Sequence, residues 1–204
     1  MVSLSESKKD RLPPNQRWIN RIPRWNVDHP GIVPENPKID LDLWRLSIDG
    51  EIEKAKTLNW NELLALPACE SLSDFHCVEG WSVPDCKWFG VRFRDLVELV
   101  KPKPEAKYVF FSCMDGYTTS LNLEDLADDE VVLAYKLNGE YLEGTTGAPV
   151  RLVVPRKYAY KSAMSLERIT FMKTDRLGYW EEKGYSNTAD AWRNDRRAKQ
   201  EFTY

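Results

Sequence analysis

The sequence is short of several features that would direct a reading at once. Its 204 residues hold two histidines, four cysteines and ten glycines, and 29 Lys and Arg side chains stand against 32 acidic ones. A formal net charge of -3 argues against bulk nucleic-acid binding, which needs a concentrated basic surface. No stretch approaches the roughly 18 apolar residues of a membrane-spanning helix, so no membrane association is expected. From Val2 to Asp10 there is no apolar core behind the charges and no twin-arginine pair, which places the chain, as an expectation, in the cytoplasm. Cys69, Cys77, Cys86 and Cys113 form no C-x-x-C pair and no C-x-x-C-H. That removes a zinc knuckle, a thioredoxin-type couple and a covalent haem.

What is present suffices for one core. With 42% hydrophobic and 12% aromatic residues the chain lies outside the disordered range, and its length suits a single domain. Residues 1–40, rich in proline and carrying Trp18 and Trp25, read as an extended arm. Residues 41–204 read as the domain proper, ending from Gly178 to Tyr204 in an aromatic, charged C-terminal cover whose Asp195-Arg196-Arg197 reads as a solvated face. Alternation predicts strands at Trp44–Ile48, Leu72–Val78, Tyr108–Cys113, Tyr117–Leu121, Val131–Leu137, Val150–Val154 and Leu166–Met172. Helices are predicted from a Thr57 cap to Leu66 and from Phe93 to Val100. Short helices among many strands, without regular β-α-β alternation, give an α+β, β-rich single domain.

Two segments carry chemistry. In Phe75-His76-Cys77-Val78-Glu79-Gly80-Trp81 a strand delivers a thiol beside an imidazole and a carboxylate and breaks at glycine. Alternation sets His76 and Val78 on one face and Cys77 and Glu79 on the other. The thiol suits three roles: a ligand to a metal whose other ligands come from a cofactor, a cysteine nucleophile cramped against His76, or a packed core residue. In Gly144 to Ser162 a small-residue turn with Thr146 and Gly147 enters an apolar strand bracketed by Arg151 and Arg156, and Lys157 and Lys161 follow. That composition suits a small anion such as a phosphate, but it is neither G-x-G-x-x-G nor a P-loop.

Taken together, His76 to Ser82, Trp88-Phe89-Gly90-Val91, Asp115-Gly116-Tyr117-Thr118-Thr119, Gly147 to Pro155, Tyr158 with Lys161-Ser162, and Gly178-Tyr179-Trp180-Glu181 resemble the molybdopterin-binding domain of the sulfite oxidase family. The likeness is to its short prokaryotic branch, to which protein-methionine-sulfoxide reductase catalytic subunits belong, and it runs collinearly from about residue 40 to 192. The resemblance implies the fold of that domain and an oxidoreductase that holds molybdenum-molybdopterin (Mo-MPT). Cys77 would be the protein's metal ligand, with Glu79 and Tyr117 beside it as catalytic groups. His76, Thr146, Gly147, Arg151, Arg156, Tyr158, Lys161, Ser162, Ala163 and Met164 would hold the cofactor. At Thr146 the family commonly has His or Asn, and at Met164 often Lys, so one phosphate contact is replaced here.

The implied reaction is oxygen-atom transfer with Mo(VI)/Mo(IV) cycling. Glu79, two residues past Cys77, would repel sulfite and relay protons, which favours reduction of an S-oxide or N-oxide. Sulfite oxidation by the same site, or a non-catalytic molybdopterin carrier, are the alternatives. A small-molecule oxo donor or acceptor and an external electron-transfer protein are the partners implied, with the chain a monomer.

Overall fold

The computed structural model describes residues 11–198. The stretch read for an export signal falls on residues 1–10, and the far end of the C-terminal cover on residues 199–204; both lie outside the described residues. The elements are β1 (Arg17–Trp18), β2 (Arg45–Gly50), β3 (Lys56–Asn59), α1 (Trp60–Leu64), β4 (Ala68–His76), β5 (Trp81–Arg92), α2 (Phe93–Val100), β6 (Tyr108–Cys113), β7 (Thr118–Asn122), β8 (Val132–Leu137), β9 (Glu140–Tyr141), β10 (Arg151–Val153) and β11 (Leu166–Met172). Among the described residues, no helix is long and apolar enough to cross a membrane.

Two sheets organise them. A six-stranded sheet runs β1-β5-β8-β10, with β4 also on β5 and β9 on β8; a five-stranded sheet runs β3-β2-β11-β6-β7. Within the second, β11 pairs parallel with β2 and antiparallel with β6. One core cluster joins the sheets: Leu46, Ile48, Phe111, Ile169 and Phe171 of the smaller meet Val91, Leu133 and Leu152 of the larger. Phe93, Leu96 and Val100 of α2, three or four apart on one face, bury against the same cluster. A second cluster covers the opposite face of the larger sheet with Phe75, Trp81, Val83, Trp88 and Val153.

Three expectations change. The first helix begins after Asn59, whose side chain accepts from the Glu62 N–H while Glu62 returns the bond, and Thr57 pairs with Ser47 inside a hairpin. A complete capping box and a ladder together outweigh a lone threonine. Strand β4 starts at Ala68, earlier than Leu72. The stretch after Gly80 becomes the twelve-residue β5, the longest strand described. Pro84 sits in β5 beside Asp85, whose φ is 54°, at a register shift in the β4–β5 ladder, where a missing N–H is tolerated.

Candidate active site

Between β4 and β5 the chain makes a tight turn. Cys77 N–H donates to the Trp81 carbonyl at 2.8 Å and Gly80 N–H to the Cys77 carbonyl at 3.0 Å. Gly80 has φ 90°, a conformation that strains any side chain. The strand-like alternation expected here is therefore absent, yet the turn still brings thiol and carboxylate together: Cys77 Sγ is 4.0 Å from Glu79 Oε2.

Both ends of the described chain hold this turn. Gln16 Nε2 donates to the Cys77 carbonyl at 3.0 Å, and Arg17 N–H donates to the Gly80 carbonyl at 2.9 Å. Arg196 donates to the carbonyls of Val78 and Asn15. The Arg196 position, read from sequence as solvated, is instead a clamp, because a guanidinium has donors enough to span two segments.

His76 is bonded to a hydroxyl rather than to the thiol. Its Nδ1 lies 2.8 Å from Ser82 Oγ, and that hydroxyl donates onward to Gln16 Oε1 at 3.0 Å. The partners assign the proton to Nδ1. Burial lowers the His76 pKa to about 4, so the ring is neutral. The same burial pushes the Cys77 thiol up to about 12.

Glu79 has a donor at each oxygen. His29 Nε2 lies 2.7 Å from Oε1 and Trp81 Nε1 donates to Oε2 at 3.2 Å. Partial burial alone would raise this carboxyl, but the bonds from His29 and Trp81 and the His29 charge outweigh it, and its pKa is lowered. Burial likewise opposes the charged form of His29, and the contacts with Glu79 and the Pro30 carbonyl outweigh that, raising its pKa.

A cavity of about 360 Å³ opens on this turn, and Cys77, Glu79, Tyr117, Arg151, Ser162, Ala163 and Met164 all line it. Arg151 sits in β10 opposite Ala134, with its guanidinium over the rings of Phe75 at 5.0 Å and Trp88 at 5.4 Å. It donates to the carbonyls of Thr146 at 2.9 Å and Ser162 at 3.1 Å, while its Nε is buried without a partner. Burial lowers its pKa to about 10. A buried cation that meets carbonyl dipoles rather than a carboxylate leaves room for an anionic or carbonyl-bearing ligand. The Ser162 hydroxyl accepts from Val154 N–H at 3.0 Å, which leaves its own proton to donate. Tyr117 is buried, its hydroxyl donates to the Tyr160 carbonyl, and burial with the nearby Glu181 charge lifts its pKa well above the ordinary value.

The six other residues that the resemblance assigned to the cofactor are not in that lining. His76 is occupied as described. Thr146 bonds Glu143 through its hydroxyl and serves Arg151 through its carbonyl. Gly147, with φ 105°, lets the chain pass where a Cβ would lie 3.1 Å from both Arg151 Cβ and Met164 Cγ. Arg156 is exposed. Tyr158 is fully buried with Ala189 and Ala191. Lys161 is fully buried and gives all three donors to protein: the Ser120 carbonyl at 2.8 Å, Asn187 Oδ1 at 2.9 Å and the Glu181 carboxylate. Nothing is left on its ammonium for a phosphate, because its electrostatic partner is Glu181, 20 positions on. Lys157 pairs with Asp125 at 2.8 Å.

The lining also contains residues to which the sequence assigned no site role: Trp25, His29, Asp115, Tyr179 and Trp180. His29 and Asp115 carry the chemical weight. Burial raises the Asp115 carboxyl, and Asp115 opens the Asp115 to Thr119 motif that carries the family resemblance. Nothing local to His29 signals its partner.

The donor set fits a pterin-borne metal. Among the described residues no group of three or more His, Cys, Asp or Glu side chains is placed to hold a metal, so a metal bound through Cys77 needs its remaining ligands from a cofactor. Arg151 and Ser162 supply, in the same cavity, donors for that cofactor's acceptors.

Comparison with known proteins agrees with this chemistry. The family described as oxidoreductase molybdopterin binding domain matches residues 32–180. The uncharacterized oxidoreductase YuiH of Bacillus subtilis (strain 168) is 40% identical over 186 residues, 91% of each chain. The protein-methionine-sulfoxide reductase catalytic subunit MsrP of Campylobacter jejuni is 35% identical over 155 residues, 68% of this chain and 52% of that protein. The chain therefore spans about half the length of that relative. The crystal structure of the sulfane dehydrogenase SoxCD from Paracoccus pantotrophus superposes with a TM-score of 0.65 at 22% identity, covering 73% of this chain and 42% of that one, a likeness of fold.

Proposed function

The chain belongs to the oxidoreductase molybdopterin binding domain family, that of the sulfite oxidases, and from that premise we propose that it reduces an S-oxide or N-oxide of a small molecule at Cys77. Bound molybdenum-molybdopterin supplies two-electron oxygen-atom transfer by Mo(VI)/Mo(IV) cycling.

The chain's own residues bind, orient and move a proton. Cys77 would hold the metal through its sulfur, with the thiol proton released on binding. Arg151 and the Ser162 hydroxyl hold the pterin and its anion, with Ala163 and Met164 forming the adjoining wall; the anion role considered for Lys161 and Arg156 passes to these two donors. Tyr117 orients that wall through its bond to the Tyr160 carbonyl. Glu79 presents Oε2 4.0 Å from the thiol sulfur; ionised at rest, it would act as a relay, accepting a proton from the His29 side or from water and handing it on toward the substrate oxygen.

The observation that carries the reading is one cavity holding a lone thiol, a buried guanidinium with an unpartnered N–H, and a carboxylate beside the thiol. A carboxylate there disfavours a sulfite dianion, and the Campylobacter jejuni relative, a protein-methionine-sulfoxide reductase catalytic subunit, points the same way. An external protein supplies the electrons. We further propose a monomer in the cytoplasm, in keeping with four free cysteines; light scattering and cell fractionation check both. The function itself is tested on purified protein by metal analysis and by two assays, viologen-linked reduction of methyl and methionine sulfoxides and dye-linked sulfite oxidation. Sulfoxide turnover with one molybdenum per chain supports it. Sulfite oxidation alone reverses the direction, and cofactor without turnover in either assay makes the chain a carrier.

A further inference from the structure

The arm loop around His29 is fixed before it meets the site. The Arg24 carbonyl accepts from Asp28 N–H at 2.8 Å and His29 N–H at 3.3 Å. Asn26 accepts from Gly31 N–H at 2.8 Å and donates to Asn36 Oδ1 at 3.1 Å. Trp25 meets the His29 ring edge to face with centroids 4.4 Å apart. His29 Nδ1 lies 2.8 Å from the Pro30 carbonyl, so that nitrogen carries a proton and donates it. The ring plane is thereby set, and in the protonated ring, where both nitrogens carry a proton, Nε2–H donates to Glu79 Oε1.

A carboxylate rotates in a broad well about its terminal bond. The Glu79 carboxylate is gripped at both oxygens from two different elements, Trp81 of β5 on Oε2 and the arm on Oε1. The oxygen left near Cys77 Sγ is Oε2. We propose that His29 is a positioning residue: by holding Oε1 from the arm, it keeps Glu79 Oε2 directed at the Cys77 side of the cavity. The inference rests on the reading of Glu79 given under Proposed function, and it gives the arm a part in the active site.

The test compares molybdenum-loaded wild type with His29→Leu, His29→Gln, Glu79→Gln and the double variant His29→Leu/Glu79→Gln in viologen-linked sulfoxide reduction. Nitrogen-15 histidine spectra are recorded for wild type and Glu79→Gln with and without metal. His29→Leu is expected to lower kcat by roughly tenfold to a hundredfold with little change in KM. His29→Gln, whose amide can donate to the same oxygen, is expected to restore most of that loss. In the Glu79→Gln background His29→Leu should cost less than about twofold more, and the His29 Nε2 resonance should shift between wild type and Glu79→Gln whatever the metal content. Equal losses in both backgrounds, a Gln variant no better than Leu, or an unmoved resonance would overturn the proposal. If wild type turns over no oxo donor, the proposed function fails, and the resonance alone decides whether His29 holds Glu79.

Discussion

Arg196 donates to the main-chain carbonyl of Val78, 118 positions away and next to Cys77, and to the carbonyl of Asn15 at 3.0 Å. Its guanidinium also lies 5.4 Å from the Tyr158 ring centre. One side chain thus joins the C-terminal segment, the arm and the turn that presents the thiol. Arg196→Ala is expected to cost about 1–2 kcal/mol, less than a fully buried charged bond because the group is part-exposed. Metal retention should fall with it, and Arg196→Lys should lie between. Urea denaturation and metal content measure both, and no change in either counts against the clamp.

Arg151 and Lys161 should fail in different ways. Arg151→Ala removes donors that face the cavity, so pterin content is expected to drop well before folding is lost. Lys161→Met leaves the Glu181 carboxylate buried with only the Thr119 hydroxyl still donating to it, a change that costs about 3–5 kcal/mol when one partner of a buried pair is removed. Adding Glu181→Leu should recover much of that loss, since replacing both partners is far cheaper than breaking the pair. Denaturation curves and pterin fluorescence for the three variants separate the two roles. Pterin loss from Lys161→Met at undiminished stability would return Lys161 to the cofactor.

How far the sequence speaks for itself follows from how local each interaction is. Helix α2 is legible because Phe93, Leu96 and Val100 repeat at helical spacing within eight residues, and β11 because its bounds coincide with an alternating run closed by charge. Strand β5 is obscured by Pro84-Asp85-Cys86-Lys87, a loop-like string that a long β4 partner nonetheless pairs through. In the site, the Cys77 and Arg151 segments can be read because their residues are contiguous. The role of Lys161 depends on Glu181, that of Glu79 on a histidine 50 positions earlier, and that of Arg196 on Val78. Such pairings exist only once the sheets have brought the segments together.

His76 makes stability depend on acid. Its folded pKa is about 4 against the ordinary 6.5, so above pH 6.5 both states are neutral and the group contributes no pH dependence. Below 6.5 the unfolded chain takes up a proton that the folded one refuses, and stability falls until about pH 4, where both states are protonated. At about 1.4 kcal/mol per pH unit the full loss is about 3 kcal/mol. His76→Asn, which keeps a donor for Ser82, should flatten that part of the profile in metal-free protein. Denaturation midpoints from pH 7.5 to pH 4 measure it, and parallel profiles for wild type and variant would assign the acid sensitivity elsewhere.

The four cysteines should separate cleanly. Cys77 alone lines the cavity, with Glu79 beside it and its carbonyl held by Gln16. Cys86 and Cys113 are almost fully buried in core clusters, and Cys69 is half-buried in β4 with its pKa raised mainly by burial. In the metal-free protein the buried, protonated Cys77 should resist iodoacetamide at neutral pH, because the thiolate is the reactive form. Cys69, with more exposure, should react first. Cys77→Ala should leave the pterin held through Arg151 and Ser162, which belong to another segment, while the metal loses its ligand from the protein and turnover falls to background. Alanine at Cys86 or Cys113 should cost only the packing of a small side chain, about 1–2 kcal/mol, and leave metal coordination unchanged. X-ray absorption on alanine variants of Cys69, Cys77, Cys86 and Cys113 decides the assignment: the molybdenum–sulfur count must fall by one in Cys77→Ala alone, and a fall at another cysteine, or at none, removes Cys77 as the ligand.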